Sequence, residues 1–346
     1  MPAPPRDTPD PPLSEQEAQH CGNPAPPLSL RGAQRRGNPV APPRLYAVVG
    51  PTGTGKSELA QQLAERTCGV VLSADALQVY RELNIGTAKI PESARRVPHY
   101  GLDLVSVRQP YSAALYQAYA RGIIDEHLAR GQSVVVCGGT GLYVRAALDK
   151  FDFPAGEQED NPLRAHYEAL AATQSAEALH DLLQQRDPAS AALIHPNNVR
   201  RVVRALELCD QGESYAQSTE GFKSFQPYYA DVCWLGLSKD RAELYRDLDA
   251  RVDAMLEAGL AAEVRALQTQ GLAESLTARQ AIGYKELLTW LDGASSYDDA
   301  VAAIKQNTRR YAKRQLTFFK ADPRLHWLNA DTDTSPLLMA MPYLNA

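Results

Sequence analysis

The chain of 346 residues has only five cysteines, Cys21, Cys68, Cys137, Cys209 and Cys233, an odd number scattered without a C-x-x-C pair or a Cys/His cluster at metal-ligand spacing. That pattern excludes a disulfide framework and a zinc site, and it fits reduced thiols in a cytoplasm. Long apolar runs are missing too. The longest, such as Ser133 to Cys137, are strand-length, and the first residues carry proline and acid where a signal peptide needs an apolar segment. Neither a membrane span nor an export signal is expected. Nor is there an excess of positive charge: at a net charge of -5, any nucleic acid must be held by local basic patches rather than by a global field. What is present is 44% hydrophobic residues, enough for one large core or two modest ones and unlike a disordered or fibrous chain.

Residues 1–43 are dense in proline, from Met1-Pro2-Ala3-Pro4-Pro5 to Ala41-Pro42-Pro43, and lack helical or strand periodicity. They are expected to be a disordered tail or a misassigned start. From Leu45 the pattern becomes an apolar strand to Val49, a glycine-rich turn and a helix over 57–67. Strands follow over 69–73, ending at Asp75, over 103–107 and over 133–137, with a helix over 112–129 between the last two. Strands alternating with helices, and apolar throughout, predict an α/β fold with a parallel sheet covered by helices, and the glycine-rich turn Gly50–Ser57 after the first strand makes that sheet P-loop NTPase-like. Strands stop after Asp149, and 162–209 carries apolar residues such as Leu163, Tyr167, Leu170, Val199, Val203 and Leu206 at helical spacing. A strand over 232–237, a helix bearing Leu244, Leu248, Val252 and Met255, and a last helix over 297–320 complete the reading. The implied organisation is a core of 44–154 and 213–330, a helical insertion of 155–212, and a C-terminal extension of 331–346.

Gly50-Pro51-Thr52-Gly53-Thr54-Gly55-Lys56-Ser57 fits G-x-x-x-x-G-K-[ST] and lies between a strand and a helix, the context this phosphate-binding motif requires. Backbone N–H groups and the helix N-terminus face a phosphate, Lys56 neutralises its oxygens, and Ser57 can hold Mg²⁺. A P-loop kinase or ATPase also places a metal-organising Asp at the end of a later apolar strand. Here that strand runs into Cys137-Gly138-Gly139-Thr140-Gly141 without a carboxylate, whereas Asp75 closes the strand after the P-loop helix. This layout suits a diphosphate leaving group with a base opposite it.

Beyond the P-loop, the chain carries Ser73-Ala74-Asp75-Ala76-Leu77-Gln78-Val79-Tyr80, Asn84-Ile85-Gly86-Thr87-Ala88-Lys89 and Gly138-Gly139-Thr140-Gly141-Leu142-Tyr143. Further on come His195-Pro196-Asn197-Asn198, Arg200 through Glu207, Arg279 through Glu286, and Lys313-Arg314-Gln315. In these motifs and their order, from about Arg44 to Trp327, the sequence resembles the tRNA dimethylallyltransferases (tRNA isopentenyltransferases). The resemblance implies transfer of a dimethylallyl group from dimethylallyl diphosphate to N6 of adenosine 37 in tRNAs reading codons that begin with U. It implies Mg²⁺ as cofactor, the tRNA anticodon stem-loop as partner, a monomer and a cytoplasmic location.

The chemistry orders the residues. Adenine N6 is a weak nucleophile, so a carboxylate must take its proton as the C–N bond forms, and Asp75 is the candidate. A strand-end Asp also serves as a helix cap. The leaving diphosphate is assigned to Gly50, Pro51, Thr52, Gly53, Thr54, Gly55, Lys56 and Ser57, with Arg314 added by resemblance. The resemblance also assigns tRNA contacts to Asp75, Ala76, Leu77, Gln78, Thr140 and Arg164, and to the stretch Arg200, Arg201, Val202, Val203 and Arg204. Gln280, Ala281, Ile282 and Gly283 form another expected RNA-facing loop. Thr140 can also cap the helix that follows it. One departure is visible: Ala76 stands where the family usually has Ser. Two other readings stand beside this one, an adenylate isopentenyltransferase acting on free AMP or ATP and a P-loop kinase.

Overall fold

Every residue of β1 (Leu45–Val49) and β2 (Val70–Ser73) is buried, as is every residue of β4 (Val134–Gly138), so these strands are covered on both faces. The computed structural model describes residues 44–150, 153, 162–332 and 334–344. The expected tail, 1–43, and the first residues of the expected insertion, 155–161, lie outside the described residues. With β3 (His99–Tyr100), β5 (Val232–Ser238) and β6 (His326–Asn329), the strands form one six-stranded sheet in the order β3-β2-β4-β1-β5-β6, all parallel.

Alternation along the strands divides the core in two. Leu45, Ala47 and Val49 of β1, with Val134 and Val136 of β4, face α2 (Ala113–Ala129), α3 (Gly141–Leu148), α9 (Arg241–Glu257), α10 (Leu260–Gln268), α11 (Tyr284–Leu291) and α12 (Tyr297–Lys320). Tyr46, Val48, Val135 and Cys137 face α1 (Lys56–Arg66) and α13 (Pro336–Leu344). The helices after β1 and β4, adjacent strands, therefore leave the sheet on opposite faces. Such a switch point opens a crevice at the carboxyl ends of the strands. The expected extension of 331–346 contains α13, whose Ala340 and Leu344 are buried in the second layer.

Two expectations change. The segment 103–107 contributes no strand to the sheet: its only bridge pairs Val105 with Tyr80, and the chain leaves the sheet after Tyr100 through positive φ at Gly101 and Asp103. Nor is the helix over 297–320 the last, since β6 and α13 follow it.

Between α3 and β5 lie α4 (Pro162–Thr173), α5 (Ala176–Arg186), α6 (Pro188–Leu193), α7 (Val199–Asp210) and α8 (Tyr215–Lys223). Tyr167, Leu179, Leu183, Val202, Val203 and Leu206 give these helices a hydrophobic cluster of their own. Among the described residues no helix is long and apolar enough to cross a membrane.

Candidate active site

The carboxyl ends of β1, β2 and β4 converge on a cavity of about 830 Å³. From β1 comes the phosphate loop. Gly50 has φ 136°, and a Cβ there would stand 2.4 Å from the Leu237 carbonyl oxygen, so only glycine fits. Thr54 Oγ1 and Lys56 Nζ both donate to the Pro51 carbonyl, at 2.9 and 2.6 Å, closing the loop on itself. The loop is also tied to α12: the Thr52 N–H donates to Gln315 Oε1 at 2.9 Å, and Gln315 Nε2 donates to the Gly139 carbonyl at 3.0 Å. Gln315 thereby locks the P-loop to the turn after β4. Ser57 is exposed in the first turn of α1, whose N-terminus opens into the cavity.

Asp75 lies two residues beyond β2 and lines the same cavity. Its carboxylate accepts from the Leu77 N–H at 2.9 Å, so the alternative role foreseen for it, a cap, is partly real as a local turn. The residue is half-buried against the cavity wall. Burial therefore pushes its pKa up, against the opposing pull of the Leu77 and Gln78 N–H groups, Lys56 and Arg251. The same burial lowers Lys56 to about 8. A carboxylate shifted up and an ammonium shifted down, each in the other's field and both on one cavity, suit proton transfer and charge balance at that cavity.

Thr140 sits at the start of α3. Its hydroxyl makes no cap hydrogen bond; it accepts from the Ala76 N–H at 3.1 Å and so ties the β4 turn to the Asp75 turn. Ala76, Leu77, Gln78 and Thr140 all line the cavity, as do Gln280, Ala281, Ile282 and Gly283. The Ala281 side chain is buried in the main core, which leaves its backbone as the reachable part. Arg314, exposed, also reaches the cavity, its guanidinium 5.7 Å from the Tyr311 ring centroid.

The basic helix is rearranged relative to expectation. Arg200 and Arg201 are exposed on α7, but Val202 and Val203 are buried in the cluster of the helical segment, so their side chains cannot touch RNA. Arg204 and Arg164 are drawn inward. Arg164 makes two bonds to the fully buried Glu207 carboxylate, 2.6 and 2.9 Å, and Arg204 makes a third at 3.0 Å. A buried carboxylate needs such partners; the Arg164 pair ties α4 to α7, whereas Arg204 lies on α7 itself.

Three lining groups went unassigned in the sequence. Arg251, whose pKa burial lowers, projects from α9 into the field of Asp75. Its signal was a charge one residue from Val252 within the apolar stripe Leu244, Leu248, Val252. Tyr311, raised to about 12 by burial and hydrogen-bonded to Thr140 and Gln315, has no signal beyond its place in an amphipathic helix, and Gln315 stood in the Lys313-Arg314-Gln315 motif without a role attached to it.

Family models for "IPP transferase" and "Isopentenyl transferase" match residues 78–322 and 43–96. The chain is 42% identical over 293 residues to the tRNA dimethylallyltransferase of Carboxydothermus hydrogenoformans, covering 84% of this chain and 93% of that one. To that of Kocuria rhizophila it is 46% identical, covering 83% and 89%. Among solved structures, the tRNA isopentenylpyrophosphate transferase of Bacillus halodurans is similar with a TM-score of 0.63 at 38% identity, over 87% of this chain and 94% of that one. A eukaryotic dimethylallyltransferase acting on tRNA gives 0.67 at 29% identity, over 84% and 74%.

Proposed function

The chain belongs to the IPP transferase family, the tRNA dimethylallyltransferases, and on that basis we propose how its cavity performs the transfer. The enzyme moves the dimethylallyl group of dimethylallyl diphosphate to N6 of adenosine 37 in tRNAs reading codons that begin with U. One observation carries the mechanism: the phosphate loop and the half-buried Asp75 open into one cavity, close enough for Lys56 and Asp75 to influence each other's ionisation.

The P-loop backbone, the α1 N-terminus, Lys56, Arg251 and Arg314 hold the diphosphate and balance its growing charge as the C1–O bond breaks. N6 forms the new bond to C1, and Asp75 takes the N6 proton. The products are N6-(dimethylallyl)adenosine and diphosphate. Adenosine 37 must leave the anticodon stack to reach Asp75, and its neighbours are held by the Gln280–Gly283 loop and by Arg200 and Arg201. All these groups come from one chain, so a monomer suffices.

The donor set fits Mg²⁺ brought in with the diphosphate. The described residues contain no cluster of three or more His, Cys, Asp or Glu, whereas the Ser57 hydroxyl would join phosphate oxygens and water around the ion, as this cation prefers. Once bound, it would neutralise charge on the leaving diphosphate.

The test is to incubate the enzyme with labelled dimethylallyl diphosphate and, separately, tRNA, AMP or ATP. Label is expected in tRNA alone. Equal labelling of AMP or ATP would replace this reading with a free-nucleotide enzyme.

Two further outcomes are expected. Neutralising the exposed Arg200 and Arg201 to Gln should weaken tRNA binding and flatten the slope of log affinity against log salt by roughly 1 to 2, leaving donor affinity intact. Salt titration of tRNA binding checks this, and a collapse of donor affinity would place α7 at the donor. Removing residues 1–43 should leave transfer within about twofold of the full chain, since the segment carries none of the motifs. A larger loss in a steady-state assay would mean that it docks on the enzyme or the tRNA.

A further inference from the structure

Gly86 to Lys89 of the segment Asn84–Lys89 form part of the cavity wall, and α10 and α11 hold the segment in place. Glu263 of α10 accepts hydrogen bonds from the Asn84 N–H at 3.3 Å and the Ile85 N–H at 2.9 Å. Tyr284 of α11 donates its hydroxyl to the same carboxylate and accepts from the Gly86 N–H at 3.2 Å. The fit is close: a Cβ on Gly86 would lie 2.4 Å from the Tyr284 ring, so only glycine brings the loop this near. On the other side Lys89 Nζ, almost wholly buried, donates to the Tyr80 carbonyl and to Asp103, both at 2.6 Å.

The clamped loop in turn holds Gln78. The Gln78 Nε2 donates to the Thr87 carbonyl at 3.1 Å, and its Oε1 accepts from Ser73 Oγ at 3.0 Å. The Thr87 carbonyl fixes which end of the amide is nitrogen, because only the NH₂ can donate to it. One N–H and one oxygen lone pair of the amide are left over. That pair complements an adenine edge, with the oxygen accepting from N6–H and the nitrogen donating to N7. Asp75 and Gln78 lie three residues apart in the same cavity wall, so one N6 proton can face each.

We propose that Glu263 and Tyr284 are positioning residues that act through the Asn84–Thr87 backbone to aim the Gln78 amide at the acceptor adenine. The proposal rests on the reading of Gln78 as an acceptor contact. Neither residue touches substrate, and the donor end of the cavity does not depend on them.

A double-mutant cycle tests the link. Glu263→Ala is expected to slow single-turnover transfer to tRNA about tenfold while donor affinity stays within about twofold, but to cost less than about twofold further once Gln78→Ala is present. Glu263→Gln should restore most of the rate, since its amide oxygen still accepts from Ile85. Tyr284→Phe removes only the hydroxyl and runs the same cycle if Glu263→Ala fails to fold. Losses that simply multiply, or donor affinity falling in step, overturn the proposal. A wild-type rate for Gln78→Ala alone removes the acceptor contact, and the proposal with it, while transfer to tRNA stands. No transfer by the unaltered enzyme would instead refute the proposed function.

Discussion

Asp75→Asn is expected to slow single-turnover transfer to tRNA by roughly 10² to 10⁴-fold while affinities for tRNA and donor change by less than about tenfold. The substitution keeps the size of the side chain and an oxygen that can still accept from the Leu77 N–H, so the turn should persist. What it deletes is the ability to take a proton. The wild-type pH profile supplies an independent check. Burial raises the Asp75 pKa, so the active carboxylate form is lost as pH falls through a value above the usual carboxylate range, and the rate should drop with it. In Asp75→Asn this acid limb should vanish. Ala76 offers no hydroxyl beside Asp75, so if Asp75 alone orients N6, part of the loss should fall on tRNA binding. A near wild-type rate in the variant would eliminate Asp75 as the base and leave water or diphosphate as proton acceptor.

Lys56→Ala should weaken donor binding by about 2–4 kcal/mol, roughly 30- to 1,000-fold, the range for losing a charged contact in a closed site. Its signature lies in pH. With Lys56 at about 8 in the free enzyme, donor affinity should decline as pH rises through that value, because the unprotonated amine no longer balances the diphosphate. Calorimetric titration of the wild type should show this alkaline decline and the variant should lack it. The P-loop itself should stay formed, since Thr54 and Gln315 hold it without the lysine. Unchanged affinity would refute the phosphate role of Lys56.

Much of the fold was legible because its signals are local. Apolar strands such as Val134–Gly138 and the Gly50–Ser57 loop identify themselves within a few residues. Asp75 and the P-loop were legible for the same reason, and Thr140 through the family resemblance; the structure brings them together because each follows a strand of one parallel sheet, whose carboxyl ends lie at one edge. What depended on distant partners was not legible. The strand His326–Asn329 has a single buried residue and pairs only because Leu235–Ser238 offers it an edge. Conversely, the apolar look of 103–107 was overridden by the turn at Gly101 and Asp103. Arg164, Arg200, Arg201 and Arg204 look alike in sequence. Burial of Glu207, which no periodicity announces, turns Arg164 and Arg204 inward and leaves Arg200 and Arg201 to solvent. Arg251 and Gln315 act on loops far away in sequence, and only the packing of α9 and α12 over the crevice brings them there.

The central claim is that this cavity alkylates N6 of one adenosine beside the anticodon. The most direct measurement incubates the enzyme and labelled dimethylallyl diphosphate with a tRNA bearing adenosine 37, and with the same tRNA carrying guanosine there, then digests the products to nucleosides. Label is expected in N6-(dimethylallyl)adenosine from the first tRNA and in nothing from the second. Equal labelling of both, or label on another nucleoside, would contradict the account.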